Sequence, residues 1–472
     1  EVVELLGQGT NAQDRLRGSR IGANGEALPK KRGVALVQAA AAAAVAAGAE
    51  RSASTPPATI RQSRVQVSAG SFNVPGNWQR VRHLGSGTSS TVAAFRIGGE
   101  GFAVKRVSKI FAGPAHAIRA LREVQLLMHL RHPNVVTLHE LYLDGPRFRD
   151  AYLRMELLDT SLATVIHGTG PPLVEFQIQC ILYQMLRGLC CLHTARVIHR
   201  DLKPSNVLVA EAGTVKLADL GLARALGAED ETHLEACLTE CVVTQYYRAP
   251  EVVLTARQYH FPIDIWSIGC IHGEMLTGHV LFKGKDSMDQ IRKIIAVIGT
   301  PQGEDMAWIP PESAAHGFVR MCAQASNGKT FRSLLTLPMA NPSIMDLLAL
   351  TLNFDPSKRP TVQAALHHPC MASFHPEKDA LVTAALATQP VDTTEERRLL
   401  ESAASVPFDE RPFRRALLVA RDAVGGRAPC ADLVRGRAQG QALVDRPTAG
   451  KASAQTQAKK CCVGPKCSCG AA

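Results

Sequence analysis

The chain has 472 residues, 46% of them hydrophobic, with a mean hydropathy of −0.01 and a formal net charge of +11. That length has room for two or three domains with sizeable cores, and no apolar run approaches the ~18 residues of a membrane span. The charge is uneven, +4 over residues 1–77 and +5 over 391–472 against only +2 between, so the basicity belongs to the tails and argues against a nucleic-acid groove on the folded part.

The chain begins at Glu1 rather than Met, which leaves its natural start open. Residues 1–77 mix Gly, Ala, Ser, Thr and Arg with few large apolar groups and read as a disordered leader. Within it, Lys30-Lys31-Arg32 ahead of the Ala-rich run to Ala49 has the outline of a signal sequence. It lies far into the chain and alanine is weakly apolar, so low complexity is the simpler reading. Order is expected from Trp78. Val81–Leu84, Thr91–Ile97 and Phe102–Val107 read as strands between Gly-rich turns, with further strands at Val135–Leu138 and Tyr152–Met155. Between them Ile118, Leu121, Val124, Leu127 and Leu130 mark one face of a helix. After residue 155 the pattern turns helical. Apolar stripes run through Ile178–Leu192, Ile265–Met275, Ile291–Ile298 and Ile344–Leu352. The fold class expected is α+β and bilobal, a small β-rich lobe (78–155) and a larger α-rich lobe (159–374), with a ligand cleft between. A C-terminal extension (375–420) and a flexible basic tail (421–472) follow. The thirteen cysteines are scattered, with Cys461, Cys462, Cys467 and Cys469 crowded at the end. Nothing implies a secreted disulfide framework, so a reducing, cytoplasmic compartment with access to the nucleus is expected.

The chemistry-bearing motifs come in a fixed order. Gly85-Ser86-Gly87-Thr88-Ser89-Ser90-Thr91-Val92 joins two strands, where glycines let backbone amides approach phosphate oxygens. Ser90 stands at the third glycine of a GxGxxG pattern, and alone the loop is a weak signal. Ala103-Val104-Lys105 then carries a lysine on a strand, able to grip nucleotide phosphates, and Glu123 on the next helix can orient it. In Ile198-His199-Arg200-Asp201-Leu202-Lys203-Pro204-Ser205-Asn206 a carboxylate, an ammonium and a carboxamide fall within nine residues. Asp201 suits a general base, Lys203 can offset charge on a transferred phosphate, and Asn206 offers an oxygen to Mg²⁺. A hairpin, Val207–Val209 against Val215–Leu217, delivers Asp219-Leu220-Gly221 beside Asn206, giving Mg²⁺ two hard oxygen donors.

In this order the motifs resemble those of eukaryotic serine/threonine protein kinases over residues 78–374. Ala249-Pro250-Glu251, Asp264 and Arg359 complete the likeness. The stretch from Asp150 to Asp159, the lip Thr239-Glu240-Cys241 to Glu251 and an insert at about 285–348 are similar to those of mitogen-activated protein kinases. The resemblance implies ATP and Mg²⁺ as cofactors. It makes Met155 the gatekeeper, sets Glu156 to Leu158 against adenine, and adds Gly85, Ser86, Gly87, Val92, Ala103 and Lys105 as nucleotide contacts. It implies protein substrates with Ser-Pro or Thr-Pro sites, an upstream activating kinase, and a phosphothreonine clamp for Thr239 made of Arg119, Arg122, Arg200 and Arg224. Glu251 is expected to pair with Arg359 and Asp264 to brace the catalytic loop.

Three departures stand out. Cys241 replaces the tyrosine of a Thr-x-Tyr lip, so activation is expected to be altered: by single phosphorylation at Thr239, by a different upstream kinase or by partial constitutive activity. Gln245 stands where these kinases usually carry an arginine, which touches proline selectivity. Leu220 replaces a phenylalanine and stays apolar. At the C-terminus, cysteines beside Lys459-Lys460 suit lipidation and Cys469-Gly470-Ala471-Ala472 loosely fits a prenylation box. Gly470 is not aliphatic, and an unmodified tail is the simpler reading. The alternative to an active enzyme is a pseudokinase scaffold that works by docking.

Overall fold

The structure, a computed structural model, describes residues 62–67, 70–87, 89–226, 245–255, 260–324, 341–403 and 408–425. Regular structure is present ahead of Trp78, where order was expected to begin. Strands β1 (Gln62–Val67) and β2 (Gly70–Pro75) form an antiparallel hairpin. The Ser71-Phe72-Asn73-Val74 alternation drives it: Phe72 and Val74 are fully buried with Trp78, Phe95, Phe102 and Tyr152 in a small second core. Asn73 anchors it further, its backbone amide donating to the Tyr152 hydroxyl (3.1 Å) and its side chain to Asp144 (3.0 Å). The segment expected to be disordered up to residue 77 thus contains an ordered hairpin at 62–75.

Beyond the hairpin, β3 (Gln79–Ser86), β4 (Ser90–Ile97), β5 (Glu100–Val107), β6 (Leu138–Leu143) and β7 (Ala151–Glu156) make one antiparallel sheet in the order β3-β4-β5-β7-β6. The strand expected at Val135–Leu138 starts only at Leu138. Val135 and Val136 are buried, and the Val136 amide donates to the Leu217 carbonyl, so they stitch this sheet's approach to the second lobe. Helix α1 (Pro114–His129) starts with proline in its first turn and buries Leu121, Val124 and Leu127 with Glu123.

The larger lobe is helical. After β8 (Thr160–Ser161) come α2 (Leu162–His167), capped by the Ser161 hydroxyl, and α3 (Glu175–Thr194). The short strands β9 (Val197–Ile198), β10 (Val207–Val209), β11 (Val215–Leu217) and β12 (Arg224–Ala225) carry the loops that meet the first lobe, with β10 paired to β8 and β11, and β12 to β9. Next are α4 (Pro250–Leu254), α5 (Pro262–Thr277), α6 (Ser287–Ile298), α7 (Ala314–Gln324), α8 (Pro342–Thr351) and α9 (Val362–Leu366). Helix α5 is buried along nearly its whole length, as its continuous apolar sequence requires.

The C-terminal extension is also ordered into α10 (Ala380–Leu386), α11 (Thr394–Ala403) and α12 (Arg411–Gly425). Helix α12 crosses the boundary expected at residue 421, because Phe413, Leu417, Ala420 and Val424 form a buried stripe. It packs on β6 and α1, and the Arg414 guanidinium lies 4.4 Å over the Phe111 ring and 4.7 Å over that of Phe148. The remainder of the basic tail and its cysteine cluster lie outside the described residues.

One core residue carries an acid-sensitive load. His272 on α5 is 1% exposed, and neither ring nitrogen has a hydrogen-bond partner among the described residues. Burial holds its pKa down to about 3, with His368 adding a smaller push the same way. The folded state therefore resists protonation that the unfolded chain accepts below about 6.5, so its share of stability is intact above that pH. That share is lost as pH falls toward 3, at about 1.4 kcal/mol per unit. His272→Leu is expected to flatten the dependence of stability on pH between 6.5 and 4.5. It should also raise stability at pH 7 by about 1 kcal/mol, read by urea denaturation. An unchanged pH slope would contradict this.

Candidate active site

Strand register sets the nucleotide side of the cleft. Val92 on β4 pairs with both Gly85 on β3 and Lys105 on β5, and Ala103 pairs with Met155 on β7. These side chains are therefore neighbours although 70 residues separate the first from the last. The Gly-rich turn is closed by the Gly87 amide donating to the Ser90 carbonyl (2.8 Å). Ser108 then ties the turn to the end of β5, its amide (3.0 Å) and hydroxyl (3.2 Å) both donating to the Ser89 carbonyl. Past β7, Leu158 is buried, and the Glu156 carboxylate accepts from the Thr137 amide (2.8 Å) and from Lys216 (2.9 Å). The Glu156 side chain is thus engaged by the protein itself, on a residue that also closes the β5–β7 ladder opposite Phe102.

Lys105 stands at the centre. Its Nζ is 2.5 Å from Glu123 Oε1 on α1 and 2.7 Å from Asp219 Oδ1. Burial opposes its charge, but the two carboxylates outweigh that and hold its pKa above the ordinary lysine value. The Lys105 ammonium in turn holds the Asp219 carboxyl down to about 2. Lys105 and Asp219 are therefore ionised at neutral pH, while burial pushes the Glu123 carboxyl above its ordinary value against the pull of Lys105. Gly221 packs closely against the group: a Cβ there would lie 3.3 Å from Asp219 Oδ1 and 3.4 Å from Glu123 Oε2, so those side chains would have to give by a few tenths of an ångström.

Across the cleft, the catalytic loop is hung on Asp264 from α5. Its carboxylate accepts from the backbone amides of His199 (2.8 Å) and Arg200 (2.9 Å) and from the His193 ring (3.0 Å). Arg200 and Asp219 both adopt left-handed backbone angles, with φ of 68° and 64°. Such geometry costs on the order of 1–3 kcal/mol per residue and persists only where neighbours enforce it. Within the loop, Asp201 Oδ2 accepts from Lys203 Nζ (2.7 Å) and Asn206 Nδ2 (2.9 Å). The Asn206 carbonyl accepts from the Ala218 amide (2.9 Å), which brings Asp219 alongside. Together Gly87, Ser89, Ser90, Lys105, Glu123, Asp201, Lys203 and Asp219 line one cavity of about 230 Å³.

The donor chemistry fits a hard divalent cation. Asn206 spends its amide nitrogen on Asp201 and so presents its oxygen, and Asp219 keeps Oδ2 beside the oxygen given to Lys105. Two protein oxygens suit Mg²⁺, which completes its shell with water and phosphate.

The lip residues Thr239, Cys241 and Thr244 lie outside the described residues. Of the four arginines expected around a phosphothreonine, Arg119 lines the cavity, and Arg224 on β12 pairs with Ile198, two residues from Arg200. Arg122 is already engaged: its Nε donates to Glu396 Oε1 on α11 (3.0 Å) and its Nη2 makes a second, shorter bond to the same oxygen. A phosphate would have to compete with Glu396 for it. Nothing near Arg122 in sequence signals that partner, which lies 274 residues away. Below the lip, Glu274 is 1% exposed and accepts from the Tyr247 hydroxyl (2.7 Å) while its other oxygen lies 2.7 Å from the His167 ring. Glu251 and Arg359 form a bidentate pair at 2.6 and 2.8 Å.

Comparison with known proteins agrees in extent with this geometry. A family model described as protein kinase domain matches residues 78–371. The chain is 42% identical over 313 residues to "Extracellular signal-regulated kinase 1" of Dictyostelium discoideum, an alignment spanning 65% of this chain and 57% of that protein. It is 39% identical over 312 residues to "Mitogen-activated protein kinase spm1" of Schizosaccharomyces pombe (65% of this chain, 72% of that one). With "Mitogen-activated protein kinase 13" of Bos taurus it shares 38% identity over 340 residues, covering 71% and 87% respectively.

Proposed function

The chain belongs to the protein kinase family, in its mitogen-activated group, and from that premise we propose that it transfers the γ-phosphate of ATP to serine or threonine followed by proline in protein substrates. The observation that carries the reading is the single cavity in which Lys105, Glu123 and Asp219 meet Asp201 and Lys203. The backbone from Glu156 to Leu158 receives adenine under Met155. Lys105, held charged by Glu123, grips the phosphates, and the amides of the Gly-rich turn cover them. Asn206 and Asp219 hold Mg²⁺, which supplies charge neutralisation for the phosphates. Asp201 accepts the acceptor hydroxyl's proton as that oxygen bonds to the γ-phosphorus and the bond to the leaving ADP oxygen breaks. Lys203 offsets charge on the moving phosphoryl group. Residues 245–248, just after the lip, take the acceptor peptide. An upstream kinase phosphorylates Thr239, and the protein works in the cytoplasm and nucleus.

Label transfer from γ-labelled ATP to matched Ser-Pro, Ser-Ala and tyrosine peptides tests this. Phosphoserine formation that favours Ser-Pro and stops on chelation of Mg²⁺ is expected. Label appearing on tyrosine alone, or transfer indifferent to chelation, would contradict it.

A further inference from the structure

One surface of the small lobe gathers cationic side chains that no acid neutralises. It forms where α12 lies against the turn between β6 and β7. Arg414 pins the two together: its Nη1 donates to the carbonyls of Pro146 (3.3 Å) and Phe148 (2.7 Å), and its guanidinium covers the Phe111 and Phe148 rings. Phe148 is buried, and the residues on either side of it, Arg147 and Arg149, are exposed. The Arg149 carbonyl accepts from the Ile110 amide (3.0 Å), which brings the exposed Lys109 to the same place. On α12 itself, Arg411 and Arg415 flank Arg414 and are exposed.

The acids nearby are committed to other partners. Asp150 pairs with Arg106 (2.7 Å) and accepts from the Lys109 amide (2.9 Å), and Asp144 accepts from Asn73 (3.0 Å). Glu410 pairs with Arg414 (2.7 Å) and Asp409 with Arg411 (2.9 Å). Among the described residues, the side chains of Lys109, Arg147, Arg149 and Arg415 have no hydrogen-bond or ion-pair partner. Four such cations on one surface repel one another, and a polyanionic partner removes that cost.

We propose that this surface docks the protein on an anionic lipid membrane. Guanidinium groups bond phosphate and carboxylate oxygens in pairs, and anionic headgroups present both without requiring a groove. The helix favours lipid over other polyanions. Arg411, Arg415 and Val419 recur every four residues on one face of α12, and Val419 is 63% exposed. A cationic face that also shows an apolar side chain suits the boundary between headgroups and acyl chains, whereas nucleic acid or a run of acidic residues has no apolar layer to receive Val419. The sequence beyond α12, residues 426–472, holds eight basic and two acidic residues, so the same charge draws it. None of the docking residues lines the active-site cavity, so docking and catalysis engage different groups.

Flotation of the full chain with phosphatidylcholine vesicles, with and without phosphatidylserine, tests this. Binding is expected only where phosphatidylserine is present, and should weaken as salt rises. The triple variant Arg147→Gln, Arg149→Gln, Arg415→Gln should lower partitioning onto the anionic vesicles about a hundredfold, at about fivefold for each cation removed. Its melting temperature should match wild type, because none of the three side chains has a partner in the fold. Partitioning unchanged in the triple variant would overturn the proposal, as would wild-type protein that ignores phosphatidylserine. If wild-type protein held polyglutamate or duplex DNA more tightly than the vesicles, and the triple variant lost that binding, the surface would serve another partner and the lipid assignment would fall.

Discussion

Asp201→Asn is expected to lower kcat by a factor of about 10²–10⁴, the usual worth of a positioned general base, with little change in KM for ATP or in thermal stability. The reason lies in how the two sides of the cavity are built. Asp201 is held by Lys203 and Asn206 at 2.7 and 2.9 Å, while the nucleotide grip we propose, Lys105 with Glu123 and Asp219, lies across the cleft. An asparagine has nearly the same shape and can still accept one of those bonds through its oxygen. It cannot take the acceptor's proton. Steady-state kinetics on a Ser-Pro peptide check this, and a kcat within threefold of wild type would remove Asp201 from the role of base.

Arg359→Met is expected to destabilise the fold by about 3–5 kcal/mol. Arg359 is fully buried, bonds both oxygens of Glu251, and donates to the carbonyls of Asn353 (2.8 Å) and Pro262 (3.1 Å). Its guanidinium also lies 4.9 Å over the Trp266 ring. Removing it strands the Glu251 carboxylate, which is 2% exposed, without a counter-charge. The double variant Glu251→Leu with Arg359→Met should recover much of the loss, because it removes the buried charge together with its partner. Urea midpoints with unchanged slope report both. Equal destabilisation by single and double variants would show that the cost comes from lost packing and carbonyl contacts instead of from the orphaned charge.

What was legible in the sequence follows the range of the interactions. The long stripes such as Ile178–Leu192 became α3 because helical period is a local property, and the groups of the catalytic loop could be read because nine consecutive residues carry them. The lysine, glutamate and aspartate of the nucleotide side were legible only as an ordered series, which the resemblance to kinases supplied. The hairpin β1–β2 escaped because its apolar alternations, Val65 with Val67 and Phe72 with Val74, are brief and follow low-complexity sequence. Helix α12 escaped because four arginines, two exposed and two half-buried, dilute a narrow stripe from Phe413 to Val424. The long-range polar contacts left no local trace at all. Glu396 on Arg122, Lys216 on Glu156 and Gln290 under Tyr246 join residues that only the folded chain brings together.

The most direct measurement counts both products of one reaction. Wild-type protein with limiting γ-labelled ATP, Mg²⁺ and excess Ser-Pro peptide should yield ADP and phosphoserine in equal amounts, because the cavity proposed to grip the nucleotide also holds Asp201, the proposed base for the acceptor. ADP released without phosphopeptide would mean that water is the acceptor. Neither product, with ATP recovered intact, would mean that the site binds without catalysing, and would contradict the account at its centre.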